Sequence, residues 1–158
     1  MAKCKCVQLR FDDDSGGEAM NPIYVPKGRA LEYSELACNL GTGCTHGCLY
    51  CYCPSSLRKS KEAFHEGPKI RKDVLKHLEK QLETMKGDPR EILLSFFTDP
   101  YNTLEAANVT GEALKLFHKY KMRVQVLTKN PMLVYHRTDI GLIHHEQWKL
   151  ATTICFDR

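Results

Sequence analysis

Short apolar runs that alternate with amphipathic segments constrain this chain more than any other feature. Four runs of strand length lie at about 33–40, 92–97, 123–128 and 150–156. The segments between them carry apolar residues at spacings of three and four, which predicts helices over about 70–85, 110–121 and 139–147. Strands that alternate with helices predict an α/β fold with a parallel sheet, and ligands gather at the carboxyl ends of such strands.

Length and composition bound the class of protein. The chain has 158 residues, which fits one domain, and 42% hydrophobic with 27% charged residues excludes a disordered or collagen-like chain. Residues 1–30 show no sustained period and are expected to form a lead-in to a core at 31–158. The net charge of +4 permits an acidic partner without demanding one. No signal peptide or apolar run of about 20 residues is visible, so we expect a cytoplasmic protein without a membrane span.

The chain is rich in cysteine, with eight in all. A disulfide scaffold would normally follow a secretory signal, so reduced thiols are expected, and clustered ones are expected to bind metal or to catalyse. Cys44, Cys48 and Cys51 stand at the spacing C-x3-C-x2-C on a loop that contains Gly43 and Gly47. Three thiolates can bind three irons of a [4Fe-4S] cluster and leave the fourth iron open, which favours chemistry at the cluster.

Two other interpretations of the cysteine loop are compatible with the sequence. A closed zinc site needs four ligands, and Cys53 or His46 could complete one, although the sequence has no second C-x2-C pair. An electron-transfer cluster is the other reading. Either would make the chain a non-catalytic iron-sulfur or zinc-binding module that acts with a protein or nucleic-acid partner.

The loop and its surroundings resemble the radical S-adenosylmethionine superfamily, in the subgroup related to spore photoproduct lyase. Tyr50 precedes the last cysteine of the motif, and the motif follows the first predicted strand, as in that family. The segments 28–33 and 39–52 carry the resemblance, and Thr98-Asp99-Pro100-Tyr101 and Val126-Leu127-Thr128-Lys129-Asn130 add to it. The likeness extends from about Gly28 to the C-terminus.

The resemblance implies a partial (β/α) TIM-like barrel whose cluster is ligated by Cys44, Cys48 and Cys51. The open iron would bind S-adenosyl-L-methionine, and one electron from a donor such as flavodoxin or ferredoxin would cleave it to a 5′-deoxyadenosyl radical that abstracts hydrogen from a substrate. The remaining assignments place Tyr50 beside the adenine, Thr98 and Asp99 at the methionine amino group, Lys129 at the methionine carboxylate, and Thr152 or Thr153 at the ribose.

Cys53 is interpreted either as a hydrogen donor close to the cluster or as a small buried residue. Lys129 has a similar alternative, a solvated lysine in a turn. The lyase carries a hydrogen-donating cysteine near the end of its second strand, and Phe96-Phe97-Thr98-Asp99 offers none here. The lyase-like repair reaction is therefore not carried over, and the substrate stays open.

The basic residues between Arg58 and Lys72 are compatible with phosphate binding to a nucleic acid, or with an ordinary solvated surface. The chain from Glu32 onward is long enough for about four β/α units, whereas a six-unit partial barrel needs roughly 190 residues. We therefore expect either a second subunit or a missing C-terminal half to complete the barrel.

Overall fold

The fold is a mixed α/β arrangement, seen in a computed structural model that describes residues 21–146 and 148–153. The strands are β1 (Ile23–Tyr24), β2 (Leu36–Cys38), β3 (Gly41–Thr42), β4 (Lys69–Ile70), β5 (Glu91–Leu94), β6 (Arg123–Thr128) and β7 (Lys149–Thr152). The α-helices are α1 (Cys53–Ser56), α2 (Lys61–His65), α3 (Val74–Thr84), α4 (Leu104–Lys119), α5 (Pro131–Tyr135) and α6 (Asp139–His145), and a 3-10 helix spans Gly28–Glu32.

A five-stranded sheet with the order β1-β2-β5-β6-β7 forms the centre of the fold. Strands β2, β5, β6 and β7 run parallel and join the sheet in chain order, while β1 is antiparallel to β2. Strands β3 and β4 pair separately as a two-stranded sheet. The predicted α/β class with a mostly parallel sheet is confirmed.

The element bounds differ from the prediction where capping or pairing overrides periodicity. Helix α4 begins six residues before the predicted position 110, because the Thr103 side chain accepts a hydrogen bond from Ala106 N and caps the helix at its start. Helix α5 was not predicted. It begins at Pro131, whose fixed φ suits the first helical position, and the Asn130 side chain accepts from Leu133 N.

The first and last strands are shorter than the apolar runs that predicted them. The run 33–40 yields only β2, because the chain turns at Asn39 and Leu40 into β3, which pairs with β4. Within the segment expected to be a lead-in, Ile23 and Tyr24 pair with β2 as an edge strand. Positions 154–156 of the last predicted strand lie outside the described residues.

The hydrophobic core lies between the sheet and helices α3 and α4. Leu78 and Leu82 from α3 and Leu114 and Phe117 from α4 are fully buried, and the spacing of four and three is the amphipathic pattern seen in the sequence. Each such side chain stabilises the fold by about 1.5–3 kcal/mol through burial. Within the described ranges, no helix combines the length and the apolar character that crossing a bilayer requires.

Candidate functional site

A cavity lies at the carboxyl ends of the parallel strands, with an empty volume of ≈ 790 Å³ that includes open solvent at its mouth. The turn after β5, the end of β6, the residue after β7 and the cysteine loop all contribute to its wall. The predicted cluster and S-adenosylmethionine residues line it, apart from the alternative Thr152, and so does Cys53, whereas His46 does not. The lining residues among them are Cys44, Cys48, Tyr50, Cys51, Cys53, Thr98, Asp99, Lys129 and Thr153.

Gly43 brings the cysteine loop against the end of β5. Its N–H donates to the Phe97 carbonyl at 2.9 Å, and its carbonyl accepts from Thr98 Oγ1 at 2.7 Å. Its φ is +96°, and a Cβ placed there would lie 2.2 Å from the Gly67 carbonyl oxygen. Only glycine fits such a position without rearrangement, so the direction in which the loop leaves the sheet depends on this residue.

Asn102 holds the beginning of the cysteine loop, a role that the sequence analysis missed. Its Oδ1 accepts from Thr45 N at 3.1 Å, and its Nδ2 lies 2.9 Å from His46 Nδ1 and 3.5 Å from Cys44 Sγ. Asparagine in a Pro-containing turn is common, and nothing in the local pattern indicates a partner so far away in the chain. An amide N–H directed at a sulfur is the kind of contact that orients metal ligands.

The cysteines around the cavity are free thiols in two different environments. Cys44, Cys48 and Cys51 are half-buried, whereas Cys53 is buried and donates its S–H to the Phe96 carbonyl at 3.1 Å. Burial raises the pKa of Cys44, and burial together with the neighbouring Cys51 raises the pKa of Cys53 to about 12. Cys53 is therefore a protonated, hydrogen-bonded thiol in this structure.

The remaining cysteines do not reach the cavity or fall outside the description. Cys38 lies in β2, fully buried, and burial raises its pKa to about 12, as expected of a thiol that packs as a small hydrophobe. Cys4, Cys6 and Cys155 lie outside the described residues.

The three motif sulfurs are spread more widely than a closed zinc site would hold them. Sulfurs around one tetrahedral zinc lie about 3.8 Å apart. Within 21–146 and 148–153, His118, His145 and Glu146 form the only group of three potential ligands whose atoms all lie within 4.8 Å of one another. The motif cysteines, alone or with Cys53 or His46, form no such group within these residues.

Asp99 joins the ends of two strands to the cysteine loop. Its Oδ1 accepts from Tyr101 N at 2.9 Å and from Thr128 Oγ1 at 2.6 Å, and its Oδ2 accepts from Lys129 N at 2.7 Å. His46 Nε2 lies 3.2 Å from the same Oδ2, at ion-pair distance without hydrogen-bond alignment. Both carboxylate oxygens thus have protein partners, and Asp99 fixes the position of Lys129.

Lys129 and Tyr50 meet at the mouth of the cavity. Lys129 Nζ donates to Tyr50 Oη at 2.7 Å and lies 5.1 Å from the centre of the Tyr50 ring. Thr153 follows β7 on the same side, exposed, and its N–H donates to the Thr128 carbonyl at 3.4 Å. Two side chains predicted to contact one ligand are therefore adjacent, although 79 positions separate them in the chain.

His65 is a further cavity residue that the sequence analysis did not single out. Its Nδ1 lies 2.7 Å from the Cys44 carbonyl oxygen, which can only accept, so Nδ1 carries the hydrogen. Among the described residues its Nε2 has no hydrogen-bond partner, and this atom is buried. This atom can take a hydrogen bond from a water molecule or from a group bound in the cavity.

No protein-family model matches the chain, and no curated protein and no solved structure matches it significantly.

Proposed function

We propose that the chain is a radical S-adenosylmethionine enzyme with a partial (β/α)-barrel core, in which Cys44, Cys48 and Cys51 hold a [4Fe-4S] cluster. The observation that carries this proposal is that the three motif thiols share one cavity with Tyr50 and Lys129 at the carboxyl ends of the strands. Parallel α/β proteins bind their ligands at that edge.

The residues present fit such a group. Three soft thiolate ligands suit an iron-sulfur cluster and leave one iron for an external ligand. The Asn102 amide supplies a polar group next to Cys44 Sγ, and His65, which lines the same cavity, supplies a buried Nε2. When bound, the cluster and S-adenosylmethionine would supply one-electron cleavage of the sulfonium, and with it a carbon radical that abstracts hydrogen.

The side chains of the cavity would bind and orient S-adenosylmethionine. The Lys129 ammonium suits a carboxylate, and its backbone is fixed through Asp99 Oδ2. The exposed ring of Tyr50 offers a face for stacking of a planar base. Thr98 donates its hydroxyl to Gly43 and retains its acceptor lone pairs for an amino group at the cavity wall.

Apolar side chains on the cavity wall exclude water from the reacting centre. Phe64, Phe97 and Cys53 form a small group of buried side chains, and Cys44 and Cys51 pack against this group. A dry wall protects a reactive carbon radical from side reactions and strengthens the electrostatic contacts inside. The buried Cys53 thiol lies in this wall, where it supplies a hydrogen within reach of the same cavity.

The basic segment is not a single exposed face, so a nucleic-acid substrate is a weaker proposal. Arg71 is half-buried beside Tyr24 and Cys38, and burial lowers its pKa. Lys59 and Lys69 line a smaller pocket behind the cysteine loop, and Lys69, like Lys61 and Lys72, is exposed. The proposal therefore names S-adenosylmethionine as the cofactor and leaves the second substrate open.

The decisive experiment is anaerobic reconstitution followed by a cleavage assay with a chemical reductant. We expect about four irons and four sulfides per chain, an electron paramagnetic resonance signal that changes when S-adenosylmethionine is added, and formation of 5′-deoxyadenosine. Cys44→Ala, Cys48→Ala and Cys51→Ala should each abolish cleavage.

Cys53→Ser is the matched control, because serine keeps the hydrogen bond to Phe96 and removes a neighbouring sulfur. It should retain its iron and its cleavage of S-adenosylmethionine. Colourless protein with a zinc ion that is lost when the motif cysteines are replaced would refute the proposal, and so would cleavage that survives in all three alanine variants. A full cluster without any cleavage would instead support the non-catalytic module.

A further inference from the structure

We propose a second metal site, for a divalent cation such as Zn²⁺, formed by His118, His145 and Glu146. His118 Nδ1 lies 3.0 Å from Glu146 Oε1, and His145 Nδ1 lies 2.8 Å from the same oxygen. The potential ligand atoms of the three residues all lie within 4.8 Å of one another. Two imidazoles and a carboxylate are the donor set that zinc shares with copper, nickel and cobalt.

The distances suit a metal with little rearrangement. In a tetrahedral zinc site with bonds of about 2.0–2.2 Å, neighbouring ligand atoms lie about 3.3 Å apart. The two nitrogen–oxygen distances, 3.0 and 2.8 Å, are a few tenths of an ångström shorter, because the atoms are now hydrogen-bonded directly. A small separation of the side chains would make room for an ion bound to both. On binding, each neutral histidine would move its ring hydrogen from Nδ1 to Nε2, so no net charge is lost from the rings.

The surroundings favour a cation. His118 lies in the last turn of α4, His145 lies in the last turn of α6, and Glu146 caps α6. The carbonyl-rich ends of both helices therefore carry their partial negative charge close to the site. Lys119, the nearest lysine in sequence, is directed to α3, where its Nζ donates to Glu79 Oε1 at 2.6 Å.

The site is accessible and separate from the cysteine cavity. The side chains of His118 and His145 are 49% and 75% exposed, and none of the three residues lines the cavity. Helix α4 ends just before β6 begins, and α6 ends just before β7 begins. The proposed site of His118, His145 and Glu146 therefore lies at the amino ends of these strands, at the opposite edge of the sheet from the motif thiols.

A metal at this place would link the helices that precede the last two strands of the described sheet. Residue 118 comes before β6 and residues 145 and 146 lie at the end of α6, so the ion would close a loop that contains β6, α5 and most of α6. Binding to the folded state alone raises its stability in proportion to the logarithm of metal concentration. The bound metal would join the end of α4 to the end of α6 and keep one position open to solvent.

The test uses Co²⁺ as a spectroscopic probe in the 158-residue chain with Cys44→Ser, Cys48→Ser and Cys51→Ser, which removes the three motif thiolates. We expect one equivalent of bound Co²⁺ per chain, with visible bands of nitrogen and oxygen coordination and no sulfur-to-metal charge transfer. His118→Ala, His145→Ala and Glu146→Gln should each weaken binding at least about 10- to 100-fold, since even outer-shell partners of metals cost that much.

The control is His144→Ala, which removes an exposed histidine from the same helical turn and should leave the Co²⁺ affinity unchanged. A second measurement uses the unaltered cysteines, so that the result does not depend on the folding of the triple variant. Zn²⁺ at about 100-fold excess over its Kd should raise the Tm by about 5 °C or more beyond that of the His118→Ala and His145→Ala variants.

The proposal is overturned if the folded serine variant binds no Co²⁺, or if the affinity and the zinc-dependent Tm are unchanged after replacement of His118, His145 or Glu146. Because neither measurement requires an iron-sulfur cluster, this outcome is independent of the function proposed for the cysteine cavity.

Discussion

Asn102 Nδ2 lies 3.5 Å from Cys44 Sγ, and the two residues are 58 positions apart in the chain. The same side chain also contacts Thr45 and His46, so one amide holds three consecutive residues of the cysteine loop. The loop is therefore positioned from the turn after β5 as well as by its own glycines. Any metal held by Cys44 would inherit its orientation from this contact.

We predict that Asn102→Ala impairs cluster assembly without removing a ligand. Loss of a partner that orients a ligand costs about 10- to 100-fold in metal affinity. The measurement is the iron and sulfide content after anaerobic reconstitution, followed by challenge with a chelator. Asn108→Ala on α4 is the control, because among the described residues its Oδ1 accepts only from Arg137 Nη1, in a bond exposed to solvent. Equal iron retention in both variants would contradict the prediction.

We predict that Lys129→Ala weakens binding of S-adenosylmethionine while leaving the iron content unchanged. A charge-assisted hydrogen bond to a carboxylate contributes about 1.5–3 kcal/mol, so the KM should rise by about 10- to 100-fold. Tyr50→Phe, which keeps the ring but removes the acceptor of the 2.7 Å bond from Lys129, should raise KM much less. A KM for Lys129→Ala that equals that of the unaltered chain would show that this lysine does not contact the ligand.

The Gly43→Ala substitution tests the close approach at the base of the loop. Its Cβ would lie 2.2 Å from the Gly67 carbonyl oxygen at a φ of +96°. We expect destabilisation of about 1–3 kcal/mol or more, measured as the free energy of unfolding in urea, together with poor cluster loading.

The control for that substitution is Gly141→Ala, inside α6, where a new Cβ meets no atom within 4 Å. Alanine there should stabilise the protein by about 0.5–1 kcal/mol, because glycine is a poor helix former. If both substitutions change the stability equally, the contact at Gly43 is not what restricts that position to glycine.

Periodicity in the sequence predicted the longer helices and strands well, but it could not predict contacts between side chains far apart in the chain. Strand β6 spans Arg123–Thr128, as predicted, because its inward residues Val124 and Val126 alternate with more exposed ones. The motif cysteines and Lys129 could be singled out from the sequence because spacing and strand ends are local properties, and the structure places them around one cavity. Asn102 and His65 were missed, because what makes them part of the site is a pairing with residues far away in the chain.

The short elements were missed for a related reason. Helix α5 depends on one cap and one proline, and β1 depends on pairing with β2. Both are too short to show a hydrophobic periodicity in the sequence. The helix bounds of α4 were wrong at one end because a single threonine side chain decided where it begins. Such contacts become visible only when the partner is placed in space.

Asp99 anchors the end of β6, because its two carboxylate oxygens accept hydrogen bonds from Tyr101 N, Thr128 Oγ1 and Lys129 N. Asp99→Asn keeps the shape of the side chain but replaces one acceptor with an NH2 group. The new donor must then face either the Lys129 N–H or the pair of donors at Oδ1, and one buried hydrogen bond is lost in both orientations. We expect destabilisation of about 1–3 kcal/mol and weaker binding of S-adenosylmethionine, because the backbone of Lys129 loses its anchor.

The matched control is Asp73→Asn, which removes an exposed carboxylate paired only with Lys76 among the salt bridges described, at 3.1 Å. It should change the free energy of unfolding by no more than about 0.5 kcal/mol, as expected for an exposed ion pair. Urea denaturation and equilibrium binding of S-adenosylmethionine measure both effects. If Asp99→Asn weakens ligand binding without any loss of stability, the carboxylate contacts the ligand directly and does not act by positioning Lys129.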